Sequence, residues 1–140
     1  MRVLAIDPGS KNIGLAISDP SGTIANPLSI VVHESREKDT DKIARIVNDG
    51  DVELVIVGCS YGEDGLPTYE GRKAQRFAMR LSQKIDVPVN LWNEENSTQI
   101  ARDTRVAMGV NRKKRKGHLD DLAATVILQS FLDFGFQKVN

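Results

Sequence analysis

The sequence of 140 residues lacks the features that mark several large classes of protein. It contains one cysteine, Cys59, which excludes an internal disulfide and a four-cysteine zinc site. No apolar run reaches the roughly 18 residues that span a bilayer, so no membrane association is expected. Asp7 interrupts the first apolar stretch too early for a signal peptide. We therefore expect a protein of the reducing cytoplasm.

Net charge is also lacking, because 19 basic residues balance 19 acidic ones. The balance conceals a strongly basic segment at 102–118, which contains one acid, Asp103. Its basic residues are Arg102, Arg105, Arg112, Lys113, Lys114, Arg115 and Lys116. This asymmetry predicts a local anionic partner. Aromatic residues make up only 5% of the chain, which argues against a base-stacking platform.

What is present is the composition of an ordinary globular domain, 40% hydrophobic and 27% charged, and we expect one domain over residues 1–140. Hydrophobic periodicity predicts three strands, then helices alternating with two more strands, then two helices. The strands are Val3–Asp7, Ile13–Ser18, Ile24–Val32, Leu54–Val57 and Val87–Trp92. The helices are 39–49, 69–85, one from Asn96 or Ser97 to about Met108, and 119–134.

This order predicts an α/β fold. Three antiparallel strands and then two parallel ones should form a mixed five-stranded sheet, with helices on both faces.

Two acidic positions follow predicted strands. Asp7 ends the first strand before the turn Pro8-Gly9-Ser10, and Glu94 and Glu95 follow the fifth strand. Open α/β sheets place ligands at the carboxyl ends of strands, so Asp7 and one of the two glutamates are candidates for one cleft. The alternatives are that Asp7 caps its own turn and that Glu94 and Glu95 are solvated loop residues.

Asp120 is a third candidate, in the predicted last helix. An apolar stripe centred on Ala123, Ile127, Phe131 and Phe134 would bring Asp120 close to the middle of the sheet-facing side. A carboxylate there is costly unless it is paired or bound to a cation. The alternative is a solvated acid that interacts favourably with the helix dipole.

The three acids Asp7, Glu94 and Asp120 can meet at one edge of the sheet. Their mutual repulsion calls for a counter-charge, and Mg²⁺ or Mn²⁺ with oxygen ligands is the simplest solution. Two such ions can activate a water and stabilise the leaving oxygen when a phosphodiester is cleaved. His33 and His118 lie far apart in sequence and do not form a zinc motif.

The cationic loop 109–117 precedes Asp120 directly. A charge run is most often a solvated surface, but beside a metal site it can hold a phosphate backbone. Arg102 and Arg105 extend the patch, and Lys11 in the first turn is a further candidate phosphate ligand.

Several segments together resemble the YqgF (also called RuvX) family of Holliday-junction-resolvase-like proteins. The first is Asp7-Pro8-Gly9-Ser10-Lys11-Asn12-Ile13-Gly14-Leu15-Ala16-Ile17-Ser18-Asp19. The others are Val57-Gly58 with Asp64-Gly65, Glu94 with Ser97-Thr98, and Arg112-Lys113-Lys114-Arg115-Lys116 with Asp120, Ala123-Ala124 and Ile127-Leu128-Gln129.

The resemblance implies a ribonuclease H-like fold and two-metal nuclease chemistry. It also implies a role in processing the 5′ end of the 16S ribosomal RNA precursor. Carried over by position, the metal-binding and catalytic acids are Asp7, Glu94 and Asp120. Two segments depart from the family pattern: Ser60 stands near a position that is usually proline, and Asn93-Glu94-Glu95 replaces the usual Asp-Glu-Arg.

Three other functions remain open at this point. A DNA junction resolvase would need a two-fold dimer, so the chain is expected as a monomer or a homodimer. A nucleic-acid-binding factor in transcription or ribosome assembly would need the basic loop but none of the acids. An actin-like phosphotransferase would need a duplicated domain, and the sequence has no internal repeat.

Overall fold

The structure, a computed structural model, describes residues 1–95 and 119–135, with side chains in these ranges except at 119–121. Five strands form one sheet: β1 (Val3–Pro8), β2 (Asn12–Ser18), β3 (Ala25–Val32), β4 (Leu54–Cys59) and β5 (Val89–Asn93). Their order across the sheet is β3-β2-β1-β4-β5. β1–β2 and β2–β3 are antiparallel, and β1–β4 and β4–β5 are parallel, as the sequence predicts.

Helices cover both faces of the sheet. α1 (Arg36–Asp49) and α2 (Tyr69–Ser82) pack on one face, where Leu4 and Val57 are buried. α3 (Leu119–Ser130) packs on the other face, where Ala5 and Ile56 are buried. Because successive residues of a strand point to opposite faces, β1 and β4 are buried on both sides. This explains why they read as continuous apolar runs.

Capping residues set where α1 and α2 begin. The Ser35 hydroxyl accepts a hydrogen bond from the Lys38 N–H at 3.1 Å, so α1 begins three residues before the predicted position 39. The Thr68 hydroxyl accepts from the Gly71 N–H at 3.1 Å and caps α2. Side-chain acceptors at these positions satisfy backbone donors that have no partner within the helix. At the other end, α2 stops at Ser82 rather than at 85.

The last helix corrects the predicted apolar stripe. The buried apolar residues of the helix and the turn that follows it are Ala124, Ile127, Leu128, Phe131 and Leu132, whereas Ala123 is exposed and Phe134 is 52% exposed. α3 ends at Ser130, and residues Phe131–Gly135 form a wider π-helical turn. That turn no longer advances 100° per residue, so the periodicity cannot be extended to Phe134. The predictions for Ala123 and Phe134 were wrong, and those for Ile127 and Phe131 are confirmed.

Two predicted elements, the helix ending near Met108 and the basic loop 109–117, lie outside the described residues. Within the described residues, none of the helices is both long and apolar enough to cross a membrane. The fold that positions any site is therefore the sheet, with α1 and α2 on one face and α3 on the other.

Candidate active site

Asp7 and Glu94 come together at the carboxyl edge of the parallel strands. Asp7 lies near the end of β1, and Glu94 directly follows β5. β4 separates these strands, so the two backbones are two inter-strand spacings apart, roughly 9–10 Å. Nevertheless the two side chains are hydrogen-bonded to each other. The site is therefore built by a long side chain that crosses the neighbouring strand.

Gly58 in β4 makes this crossing possible. A Cβ atom at Gly58 would lie 3.0 Å from Glu94 Oε1 and 2.9 Å from Ile127 Cδ1. Both distances are shorter than ordinary carbon contacts, so any larger residue would displace one of the two side chains. The Glu94 N–H also donates to the Cys59 carbonyl at 3.0 Å, which holds the backbone after β5 against the end of β4.

The pair lies on the α3 face of the sheet. Asp7 follows Val3 and Ala5 in the alternation of β1, and both of these pack against α3. α3 is held against β5 by Trp92, whose Nε1–H donates to Ser130 Oγ at 2.7 Å. The Trp92 ring also meets the Phe131 ring edge-on, with centroids 5.4 Å apart. These contacts lock the helix that carries Asp120 onto the face that carries the carboxylate pair.

The environment of Glu94 disfavours its charge. Burial raises the pKa of the Glu94 carboxyl, and the negative charge of Glu70 raises it further. The hydrogen bond with Asp7 acts in the opposite direction and lowers that pKa. Two carboxylates in contact cannot both be ionised cheaply, so they either share a proton or bind a cation. Carboxylate oxygens are the ligands that Mg²⁺ and Mn²⁺ prefer, so the pair fits such a metal.

The structure distinguishes Glu94 from Glu95, which the sequence left open. Glu95 is exposed, and its N–H donates to the Asn93 side chain at 3.0 Å in a local turn. Asn93, which departs from the family pattern, thus supports the chain just after β5. Asp120 lies in the first turn of α3, and its side chain is outside the described set. Among the described side chains, no three His, Cys, Asp or Glu residues form a metal-binding group.

Of the candidate phosphate ligands, the structure describes Lys11. Lys11 is exposed in the turn between β1 and β2, at the same edge as Asp7. Seven further cations lie outside the described residues: Arg102, Arg105, Arg112, Lys113, Lys114, Arg115 and Lys116. Their assignment remains a prediction.

Two features of this edge were not predicted from the sequence. One is the role of Gly58, which the sequence shows only as part of a motif that resembles the family. The other is a contact between His33 and Asp39, whose side chains approach to 2.5 Å. His33 was considered only as a zinc ligand. The sequence does contain a signal for this contact. His33 lies just before α1, and Asp39 lies in the first turn of that helix.

Comparison with known proteins decides the family. The family model described as "RuvX: Holliday junction resolvase" matches residues 1–134. The chain belongs to the RuvX family. Curated relatives of this RuvX-family chain include proteins from Desulforamulus reducens and Thermoanaerobacter pseudethanolicus, 38% and 39% identical. The matches cover 96% and 95% of this chain and 98% and 96% of theirs. Both relatives carry the name "Putative pre-16S rRNA nuclease".

Solved structures confirm the fold predicted for this RuvX-family chain. The RuvC protein of T. thermophilus, solved with a Holliday junction substrate, superposes with a TM-score of 0.64 at 20% identity, over 96% of both chains. The fowlpox virus Holliday junction resolvase gives 0.56 at 18% identity, over 95% of this chain and 99% of its own. The mixed sheet is thus a ribonuclease H-like sheet. Family membership places the chain among nucleases, which are hydrolases acting on nucleic acid.

Proposed function

We propose that this RuvX-family chain is a metal-dependent endonuclease that cleaves structured RNA and processes the 5′ end of the 16S ribosomal RNA precursor in the cytoplasm. The observation that carries the proposal is the contact between Asp7 and Glu94 at the carboxyl edge of the sheet. Two carboxylates that share a partly buried position destabilise the folded chain unless they serve a ligand. The names of relatives at 38% and 39% identity support the RNA substrate.

Asp7, Glu94 and Asp120 are the residues that would hold Mg²⁺ or Mn²⁺. When bound, a pair of such ions supplies an activated water and stabilises the leaving oxygen. The protein's own contribution is to hold the carboxylates at a fixed separation. It does so through the glycine under Glu94 and through the Trp92–Ser130 hydrogen bond that locks α3 in place.

The basic side chains would hold the substrate by its phosphates. Lys11 lies at the catalytic edge, and the seven cations of segment 102–118 precede Asp120 in the chain. Such contacts give binding that weakens steeply as salt rises and that carries little base specificity.

The test compares Glu94→Gln with Glu95→Gln, neighbouring variants that each remove one negative charge. Purified protein is incubated with Mn²⁺ and a precursor RNA that spans the 5′ end of the 16S sequence. Glu94→Gln and Asp7→Asn should fall below about 1% of wild-type cleavage, whereas Glu95→Gln should remain close to wild type. Equal cleavage by wild type and Glu94→Gln would contradict the proposal.

A second candidate is cleavage of branched DNA. The family description names a Holliday junction resolvase, and the RuvC relative was solved with a junction. A four-way DNA junction is therefore incubated beside the RNA under the same conditions. Paired symmetric cuts by a dimeric protein, with the RNA left intact, would favour this function over the proposed one.

A further inference from the structure

A cleft lies at the same edge of the sheet, on the face opposite the carboxylate pair. It has a volume of about 380 Å³ and lies between the β1–β2 turn and the N-terminal halves of α1 and α2. Gly9 and Ser10 form one wall, His33 and Arg36 a second, and residues of α2 the third. This volume is in the range of cavities that hold a small ligand or one unit of a polymer.

The cleft is lined by cations that lack acidic partners. Arg36 and Arg76 both line it and are exposed, and neither forms an ion pair with another described residue. Lys73 lines it too, with its ammonium 4.6 Å from the centre of the Tyr69 ring. Asp39 and Glu70 line the cleft as well, so three cations against two acids leave it a formal net charge of +1.

Several cations on or next to these two helices that do not line the cleft are ion-paired, whereas Arg45 and Arg72, also outside the cleft, form no ion pair among the described residues. Arg80 donates to Glu37 at 2.8 Å through Nε, and Lys84 lies 2.7 Å from Asp41. Lys42 lies 3.3 Å from Glu34. The lack of an acidic partner is therefore not confined to the cleft, but Arg36, Lys73 and Arg76 come from two helices and line the same volume. An anionic ligand in that volume would be attracted by all three cations.

A histidine in the cleft is oriented by a buried acid. Asp39 is 1% exposed and His33 45% exposed in their side chains, and His33 Nδ1 lies 2.5 Å from Asp39 Oδ2. Asp39 Oδ1 accepts from the Glu34 N–H at 3.0 Å, which fixes the carboxylate. An imidazole held in this way by one nitrogen leaves its other nitrogen available to a ligand.

We propose that this cleft binds a phosphodiester group of the substrate strand that flanks the cleaved bond. Arg36 and Arg76 would supply the charge, and His33, held by Asp39, a directed hydrogen bond. The β1–β2 turn that forms one wall of the cleft directly follows Asp7, so the cleft and the carboxylate pair lie at the same end of the sheet, on opposite faces. An RNA strand bound at both sites would pass over the β1–β2 turn, from the α3 face of the sheet to the α1–α2 face. This inference rests on the proposed nuclease function, because it names where that nuclease holds its substrate.

The test removes two guanidinium groups from inside the cleft or from outside it. Arg36→Gln/Arg76→Gln is compared with Arg45→Gln/Arg80→Gln, which changes one exposed arginine on each of the same helices. The probe is a hairpin RNA with a single-stranded 5′ flank and a fluorophore on its 3′ end. Binding is measured in EDTA by anisotropy across a series of KCl concentrations, so that cleavage does not contribute.

The cleft variant should bind at least about tenfold more weakly than wild type at low salt. The slope of log K against log [KCl] should become shallower by about 1.4 to 1.8, the value for two lost phosphate contacts. The control variant should stay within about threefold of wild type. Equal slopes for the two double variants would overturn the inference alone. Absence of wild-type binding to any nucleic acid would overturn the proposed function as well.

A second arm separates an internal phosphodiester from a terminal phosphate. The same RNA is prepared with a 5′-phosphate and with a 5′-hydroxyl. A cleft inside the substrate path predicts the same loss for both RNAs. A loss confined to the 5′-phosphorylated RNA would overturn the phosphodiester assignment and identify a site for strand ends.

Discussion

Two carboxylates at opposite edges of the sheet show how differently the same chemical group can be used. Asp19 follows β2 at one edge, where it accepts hydrogen bonds from the Thr23 and Ile24 N–H groups at 2.8 and 2.9 Å. These bonds and one from Ser21 lower the pKa of Asp19 to about 2. At the other edge, burial raises the pKa of Glu94. The Asp19 carboxylate stabilises a turn, whereas burial makes the charged form of Glu94 unfavourable in the folded chain.

The comparison indicates which edge is functional. Backbone N–H groups stabilise the negative charge of Asp19 by hydrogen bonds, so its ionised form requires no ligand. For Glu94, by contrast, burial and the charge of Glu70 act against the ionised form, and its hydrogen bond is to another acid, Asp7. A folded protein keeps such a cluster where a ligand compensates it. The following three predictions test this contrast, starting with the largest expected effect.

Substitution of Gly58 should damage the functional edge most strongly. In Gly58→Ala the new Cβ meets Glu94 Oε1 and Ile127 Cδ1, so Glu94 can no longer cross β4 towards Asp7. We expect cleavage to fall by roughly 100-fold and the free energy of unfolding to fall by about 1–3 kcal/mol. Nuclease assays and urea titrations measure the two effects.

A second substitution separates these two consequences. Ile127→Val removes the Cδ1 atom, and in the Gly58→Ala background it should restore part of the stability without restoring cleavage. Full recovery of cleavage in the double variant would show that Gly58 acts through α3 and not through the position of Glu94.

Removal of the charge at Glu94 should stabilise the protein when no divalent cation is present. In EDTA at pH 7, Glu94→Gln should raise the Tm by roughly 2–4 °C, equivalent to about 1 kcal/mol, because a half-buried charge next to Asp7 is lost. Glu95→Gln, at an exposed neighbour, should leave the Tm unchanged. With millimolar Mg²⁺ the Tm of wild type should exceed that of Glu94→Gln, because binding of the cation stabilises wild type and not this variant. Thermal denaturation measures both, and a lower Tm for Glu94→Gln in EDTA would contradict the contrast.

Ionised Asp19 should stabilise the folded chain, whereas ionised Glu94 should destabilise it, and the contribution of Asp19 to the free energy of unfolding should depend on pH. Its pKa is about 2 in the folded chain against 3.8 for the free side chain, so its stabilising effect is complete above about pH 4. The effect should largely disappear as the pH falls from about 4 to 2, because over that range the unfolded chain takes up a proton that the folded chain binds only at lower pH. Urea titrations of wild type and Asp19→Asn should therefore converge over that range and differ by a constant amount above it. A difference that persists unchanged at pH 2 would show that the hydrogen bonds do not depend on the charge.

The sheet was predictable because its signals are local. Continuous apolar runs mark β1 and β4, which helices bury from both sides, and turn residues separate β1 from β2. The strand order then follows from short antiparallel connections and right-handed crossovers. Ser35 is a capping signal for α1 that the sequence contains, whereas hydrophobic periodicity alone predicts a start at 39.

The candidate site was predictable only in part. The positions of Asp7 and Glu94 at strand ends identified them as candidates, because parallel strands end at one edge. The stripe that was used to place Asp120 was wrong at Ala123 and Phe134, since the π-helical turn interrupts the helical period. The pairing of His33 with Asp39 depends on how α1 begins, which periodicity alone does not specify.

From its order of apolar runs and turns, the sequence by itself determined a mixed sheet with acids at the ends of its first and last strands. Only the tertiary structure decided that Glu94 rather than Glu95 reaches Asp7, and that Arg36 and Arg76 line one cleft on the opposite face of the sheet. The physical reason is that a strand end specifies where a side chain starts, whereas its direction depends on the space left by its neighbours. Here that space is the missing side chain of Gly58.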